Sequence, residues 1–264
     1  MKRGINMSVK IKIMTFNLRV PSKVDENNYF KLRKNKVVET IRKEMPDVIG
    51  FQEAVDWTLD FLKESLPEYY VLGHGRDDRY HGEGAPVAFR KDVFSLCGFR
   101  QEWLSLEPNK PASVLKGLDQ SKCPRVYSCT ELIHKDCETP FAFYNIHSDH
   151  RGEMAKIVES VILMRDIAAS PYKFVLTGDF NAVPDSDSIK QILSTKEALG
   201  TVDLTATIPD SFHGFGRENF TPVKIDYIFS NLPSDPAESY KVADDDSCGH
   251  YYSDHNALCA FVEI

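Results

Sequence analysis

The chain has 264 residues, 42% apolar and 27% charged, with a formal net charge of −7. That length suits one large α/β domain or two small ones, with a core that needs no disulfide or metal staple. The composition excludes a membrane span, because no apolar run approaches the ~20 residues required, and the acidic balance disfavours a surface built to hold long nucleic acid. No apolar stretch follows Lys2 and Arg3, so no signal peptide is expected. The six cysteines show no C-x-x-C spacing and are expected to be reduced and mostly buried in a cytoplasmic protein. Residues 1–7 are expected to form a disordered tail and residues 8–264 a single domain, since no linker or repeat divides the chain.

The predicted elements run as follows. A strand over Ile11–Phe16 ends at Asn17, and apolar spacing predicts a helix from Asn28 to Glu44, stopped by Pro46. A buried strand follows at Val48–Phe51, with Glu53 just past its end, then a helix over Trp57–Leu66 and a strand over Tyr69–Leu72. Gly73–Ala85 is polar and glycine-rich, hence a loop. Strands then dominate, at Pro86–Arg90, Val93–Phe99, Arg125–Ile133 and Phe141–Ile146, with a long irregular connection over Asn109–Pro124. Glu153–Ala169 carries Ile157, Val161, Met164 and Ala168 on one helical face. A strand at Phe174–Leu176 runs into Thr177–Asn181, a short helix follows at Ser186–Leu193, and Lys224–Ser230 and Ala257–Val262 are the last strands. Asp244–Asp246 reads as a solvated acidic turn. This order argues for an α/β layered fold of mixed sheets with helices outside.

A second pattern overlies the first. Strand-like runs repeatedly meet a carboxylate, amide or imidazole at one end: Asn17, Glu53, His147, Asp179 and Asn181, Asp226, and Asp254–His255. Loops at strand ends are where a rigid sheet presents functional groups, so these separate segments point to one convergent site. The residue types fit phosphoester hydrolysis, which needs a cation against the phosphate oxygens and a positioned water. Hard oxygen ligands, here Glu53, Asp254 and Asn17, suit Mg²⁺ or Mn²⁺, and no His/Cys cluster favours zinc. A neutral His255 paired with Asp226 can orient or deprotonate water. His147 can donate to charge developing on phosphoryl oxygens, and Asp179 with Asn181 can grip the water and a phosphate oxygen.

These residues, in this order, resemble the endonuclease/exonuclease/phosphatase superfamily with its deoxyribonuclease I-like fold. The strings that carry the resemblance are Thr15-Phe16-Asn17, Gly50-Phe51-Gln52-Glu53, Asn145-Ile146-His147-Ser148-Asp149, Thr177-Gly178-Asp179-Phe180-Asn181, Ile225-Asp226-Tyr227-Ile228 and Ser253-Asp254-His255. The resemblance implies a four-layer α/β sandwich of two packed mixed sheets flanked by helices. It implies a metal site at Glu53, Asn17 and Asp254, and catalytic roles for His147, Asp179, Asn181, Asp226 and His255. The chain departs from the abasic-site endonuclease branch at Arg19 and His147, where that branch has an acid and a tyrosine. It looks closer to bacterial metal-dependent hydrolases and to the nocturnin and deadenylase branch. Arg19, Arg76, Glu83, Arg125, Asp149, His150 and His213 are candidate substrate-binding residues. The expected activity is that of a phosphodiesterase on a small, sugar- or nucleotide-linked phosphate. The alternatives are a nuclease acting on RNA or DNA ends and a non-catalytic binding module, and no obligate protein partner or membrane insertion is evident.

Overall fold

A computed structural model describes residues 8–244 and 247–264. The strands are β1 (Lys10–Asn17), β2 (Val48–Gln52), β3 (Tyr69–Leu72), β4 (Val87–Arg90), β5 (Phe94–Trp103), β6 (Val126–His134), β7 (Phe141–His147), β8 (Phe174–Asp179), β9 (Val202–Asp203), β10 (Asp226–Ser230), β11 (Tyr240–Lys241) and β12 (Leu258–Glu263). The helices are α1 (Phe30–Glu44), α2 (Asp56–Ser65), α3 (Glu153–Ala169), α4 (Asp187–Leu193) and the single turn α5 (Lys196–Leu199). One six-stranded sheet has the order β11-β12-β1-β2-β4-β3 and the other β5-β6-β7-β8-β10-β9. Each is antiparallel except for one pair, β1/β2 and β7/β8. A parallel pair needs a long crossover, and α1 and α3 supply it.

Period-two alternation builds the layers. In β1 the side chains of Ile11 and Ile13 turn to the opposite sheet, where they join Val48, Phe143, Val175, Ile228 and Ala260 in one apolar cluster. Met14 and Phe16 turn outward onto α1 and α2, while Tyr144, Ile146 and Leu176 pack under α3 and α4. Each such aliphatic or aromatic side chain contributes roughly 1.5–3 kcal/mol by leaving water. Along the same inward rows the chemistry then changes. Thr15 and Asn17 follow Ile13, Asn145 and His147 follow Phe143, and Thr177 and Asp179 follow Val175, all buried. One end of the sandwich is therefore oily and the other polar.

The junction is a hydrogen-bonded bridge between the sheets. Gln52 donates through Nε2 to Asn145 Oδ1 at 2.7 Å and to Thr15 Oγ1 at 3.2 Å. Thr177 Oγ1 donates to Asn145 Oδ1 at 3.1 Å, and Asn145 Nδ2 donates to the Phe51 carbonyl at 2.6 Å. Gly50 lies against this bridge: a Cβ there would stand 2.2 Å from Thr177 Oγ1 and 2.4 Å from Asn145 Oδ1. Only glycine lets the sheets approach this closely.

Several sequence expectations change. The first helix starts at Phe30 rather than Asn28, after a 3₁₀ turn over Lys23–Asn28 with Glu26 in the left-handed region. The run from Lys224 becomes a strand only at Asp226. All six cysteines are free, but only Cys129 and Cys259 are buried, and Cys97 and Cys248 are exposed. Asp244 is not a solvated acid: its carboxylate is 2.8 Å from Lys36 Nζ and accepts the Tyr252 N–H at 2.7 Å. The remainder of that expected turn, residues 245–246, and the expected tail over residues 1–7 lie outside the described residues. Among the described residues no helix is long and apolar enough to cross a membrane.

Candidate active site

The polar ends of both sheets open on one cleft of about 300 Å³. The first sheet contributes Glu53, just past β2, and Asp254 and His255, just before β12. The second contributes His147 and Asp179, the last residues of β7 and β8, with Asn181 two residues further on. His147 and Asp179 are also register partners across the parallel β7/β8 pair.

Asp179 is the hub. Its Oδ2 accepts Asn17 Nδ2 at 2.9 Å and lies 3.6 Å from His147 Nε2 and 3.9 Å from His255 Nε2. Its Oδ1 accepts the Asn181 N–H at 2.8 Å. Glu53, His147 and Asp179 bring three ligand atoms within 4.8 Å of one another, and so do Asp179, Asp226 and His255. His255 Nδ1 is 2.8 Å from Asp226 Oδ2, and the other oxygen of Asp226 is buried without a partner.

The charge states divide. Burial, then the neighbouring Asp226 and Glu53, raise the Asp179 carboxyl above the usual carboxylate range. Asp254 is raised too, by burial, with Glu53 adding to the effect against an opposing His255. Burial is the larger cause in both, and a bound divalent cation would lower both carboxyls again. Burial alone would lower His255, but Asp226, Asp179 and Asp254 together outweigh it and hold the imidazole protonated, with a pKa of about 10. His147 goes the other way: burial and the cations of Arg125 and Arg76 hold it well below its ordinary value, so it is neutral.

The Asn17 amide lies between Glu53 and Asp179. Its Oδ1 accepts the Arg19 N–H at 2.8 Å, while Nδ2 donates to both Glu53 Oε1 at 3.2 Å and Asp179. Flipping the amide would aim oxygen at two carboxylates and lose the Arg19 bond, so the assignment follows from the network. Asn17 thus braces the two acids. Glu53 is braced again by the Val20 N–H at 2.6 Å. Arg19, Glu53 and Asn181 all have positive φ, at 55°, 59° and 48°. Three non-glycine residues in the left-handed region at one site store backbone strain.

Of the residues singled out from the sequence, Arg19, Arg76, Glu83, Arg125 and His150 line the cleft with the motif residues, whereas Asn17, Asp226, Asp149 and His213 do not. Asn17 and Asp226 stand behind lining residues. Asp149 is wholly buried, and its oxygens are taken by the N–H groups of Ser121, Arg151 and Gly152 and by the Ser121 hydroxyl. Those bonds outweigh burial and hold it at about 2. These bonds fix the loop ahead of α3. His213 donates its backbone N–H to the Asp254 carbonyl at 2.9 Å, and its ring lies tilted against Tyr251 at 5.0 Å; burial lowers it to about 4. Arg19 is tied to Asp25 at 3.0 Å and Arg76 to Glu83 at 3.0 Å. Val20, Cys123, Phe212 and Ile225 also line the cleft. A search for charged and hydrogen-bonding residues passes over them, although Phe212 is the neighbour of His213 and Ile225 precedes Asp226.

Acids, amides and two histidines from both sheets thus meet at the polar end of one layered sandwich. The family model for the endonuclease/exonuclease/phosphatase family matches residues 14–255, and the chain belongs to that family. Among solved structures, the endonuclease/exonuclease/phosphatase from Bacteroides vulgatus is 29% identical, with a TM-score of 0.86 over 97% of this chain and 99% of that one. A mannosyl-6-phosphatase from Bacteroides thetaiotaomicron is 24% identical, with a TM-score of 0.80 over 96% and 99%. The human nocturnin catalytic domain is 17% identical, with a TM-score of 0.70 over 98% and 97%. No curated protein matches the sequence.

Proposed function

We propose that this protein hydrolyses phosphoesters with the help of Mg²⁺ or Mn²⁺, acting on a small phosphorylated molecule. The observation that carries the reading is the convergence of Glu53, His147, Asp179, Asn181, Asp254 and His255, from both sheets, on one cleft. Glu53 and Asp254 are the oxygen donors that would hold the cation, which supplies charge neutralisation at the phosphate oxygens. Asp179, fixed by Asn17 and the Asn181 backbone, faces the cleft as the acceptor for a proton from the attacking water. His255, aligned by Asp226, and neutral His147 offer N–H groups to the phosphoryl oxygens as charge builds on them. Water attacks in line with the ester oxygen, which leaves with the electron pair and takes up a proton.

A nuclease reading has less support. The cleft's arginines include two, Arg19 and Arg76, already paired with acids, and the net charge is −7. A silent binding module would not need Glu53, Asp179, Asp254 and His255 together. The test is a panel of p-nitrophenyl phosphate, bis(p-nitrophenyl) phosphate, sugar phosphates, poly(A) RNA and plasmid, with Mg²⁺ or Mn²⁺. Sugar phosphates belong in it because a structural neighbour is a mannosyl-6-phosphatase. Turnover is expected with metal, lost on chelation and restored by metal, and lost in His255→Ala. No turnover on any substrate, or full activity in that variant, would sink the reading.

A further inference from the structure

Arg33 stands on α1 where the apolar stripe of Phe30, Val37 and Ile41 calls for another apolar side chain, and it has no exposed surface. A charge taken so far from water is costly unless hydrogen bonds meet it. Its fork meets main-chain carbonyls from three separate segments: Nη2 donates to Arg19 at 2.9 Å, Nε to Asn28 at 2.7 Å and Nη1 to Tyr252 at 2.5 Å. Its Cζ lies 4.8 Å from the Phe30 ring centroid and 5.8 Å from that of Phe215. Each carbonyl belongs to a segment that leads to the cleft. Arg19 follows β1 and Asn17, and Tyr252 precedes Asp254 and His255. Asn28 closes the 3₁₀ turn that carries Asp25, the ion-pair partner of Arg19.

The Arg19 contact reaches further. The Arg19 carbonyl and the Val20 N–H belong to one peptide group, and in a trans peptide they point opposite ways. The carbonyl accepts Arg33 Nη2 while the N–H donates to Glu53 Oε2 at 2.6 Å. Hydrogen bonds in such a chain polarise one another, so a buried cation strengthens a donor aimed at a carboxylate. This peptide also follows the left-handed backbone of Arg19, whose own N–H is held by Asn17 Oδ1 at 2.8 Å.

We propose that Arg33 is a positioning residue for the cation site: through the Arg19–Val20 peptide it fixes the Glu53 carboxylate, and through the Tyr252 carbonyl it fixes the segment that presents Asp254. The inference rests on the reading of Glu53 and Asp254 as cation ligands, and it adds a residue that never touches the cation. Charge and geometry pull in opposite directions here. The positive charge of Arg33 repels a bound cation, whereas the strained turn it holds orients the ligand. A lysine keeps the charge and gives up the planar fork, so Arg33→Lys isolates the geometry.

The test titrates Mn²⁺ into wild type and Arg33→Lys, following free Mn²⁺ by its electron paramagnetic resonance signal, and measures hydrogen exchange at the Val20 amide of both proteins without metal. Affinity should fall about tenfold in Arg33→Lys, the equivalent of one buried hydrogen bond. Exchange at Val20 should quicken by about tenfold or more, because its acceptor is no longer held. Leu62→Ala makes a cavity in the apolar cluster that also holds Phe30, and it should leave the Mn²⁺ affinity of the folded protein within about twofold. Unchanged affinity or unchanged Val20 exchange in Arg33→Lys, or an equal loss of affinity in Leu62→Ala, would overturn the proposal. Should Arg33→Lys fail to fold, the link is read from its other end. Glu53→Gln should then shift the Arg33 side-chain N–H resonances in a nuclear magnetic resonance spectrum, and unmoved resonances would overturn the proposal. If wild type binds no Mn²⁺ but Val20 exchange quickens in Arg33→Lys, the cation reading fails and the link from Arg33 to Glu53 stands.

Discussion

Glu159 lies within α3 with no exposed surface. One carboxyl oxygen accepts the Asp149 N–H at 2.9 Å, and the other is buried without a partner. Burial pushes the group from its ordinary 4.5 up to about 8. The sign of the resulting pH dependence follows directly. Between those two values the folded chain keeps a proton that the unfolded chain has released. Stability is therefore full below about pH 4.5 and declines as pH rises through the folded value. Each pH unit in that window costs about 1.4 kcal/mol. Glu159→Gln removes the titration while its carbonyl can still accept the Asp149 N–H. Urea denaturation at pH 5, 6.5 and 8 should show the variant close to wild type at the lowest pH. It should become progressively more stable than wild type toward pH 8, by several kcal/mol. Parallel stability curves for the two proteins would refute the assignment of the raised group to Glu159.

Two further outcomes concern the bridge and the histidine pair. Gly50→Ala places a methyl carbon 2.2 Å from Thr177 Oγ1. Overpacking costs about 1–3 kcal/mol and the disturbed buried hydrogen bonds add about 1–3 kcal/mol more. Chemical denaturation should show a loss in that combined range together with lost turnover; a change below about 0.5 kcal/mol, the scale of an ordinary surface substitution, would contradict the close approach of the sheets. Asp226→Asn removes the charge 2.8 Å behind His255 and should lower kcat by about 10²-fold or more, with a much smaller change in KM. Activity within threefold of wild type, against the expected effect of losing such a positioned group, would show that the pair does not act as a unit.

Much of the layered fold could be read from the chain because strand and helix periods differ, and because the inward rows of β1, β7 and β8 switch from Ile, Phe and Val to Asn, His and Asp at the same end. What stayed hidden was relational. Nothing local places the Asn17 amide between two acids, since its orientation is set by Arg19, Glu53 and Asp179. Asp149 and Arg125 looked equivalent as charged residues near motifs. Only packing shows that both oxygens of one are taken while the other has two buried N–H groups without an acceptor. The two-residue strands β9 and β11 were equally illegible, because they form only where β10 and β12 offer an edge.

The left-handed backbone at Arg19, Glu53 and Asn181 has a consequence for selection. Glycine adopts that conformation without steric cost, so replacing any of the three can relax the main chain while deleting the side chain that faces the cleft. Variants gathered for heat resistance alone would drift toward glycine at these positions and arrive at a sturdier sandwich with an empty workbench.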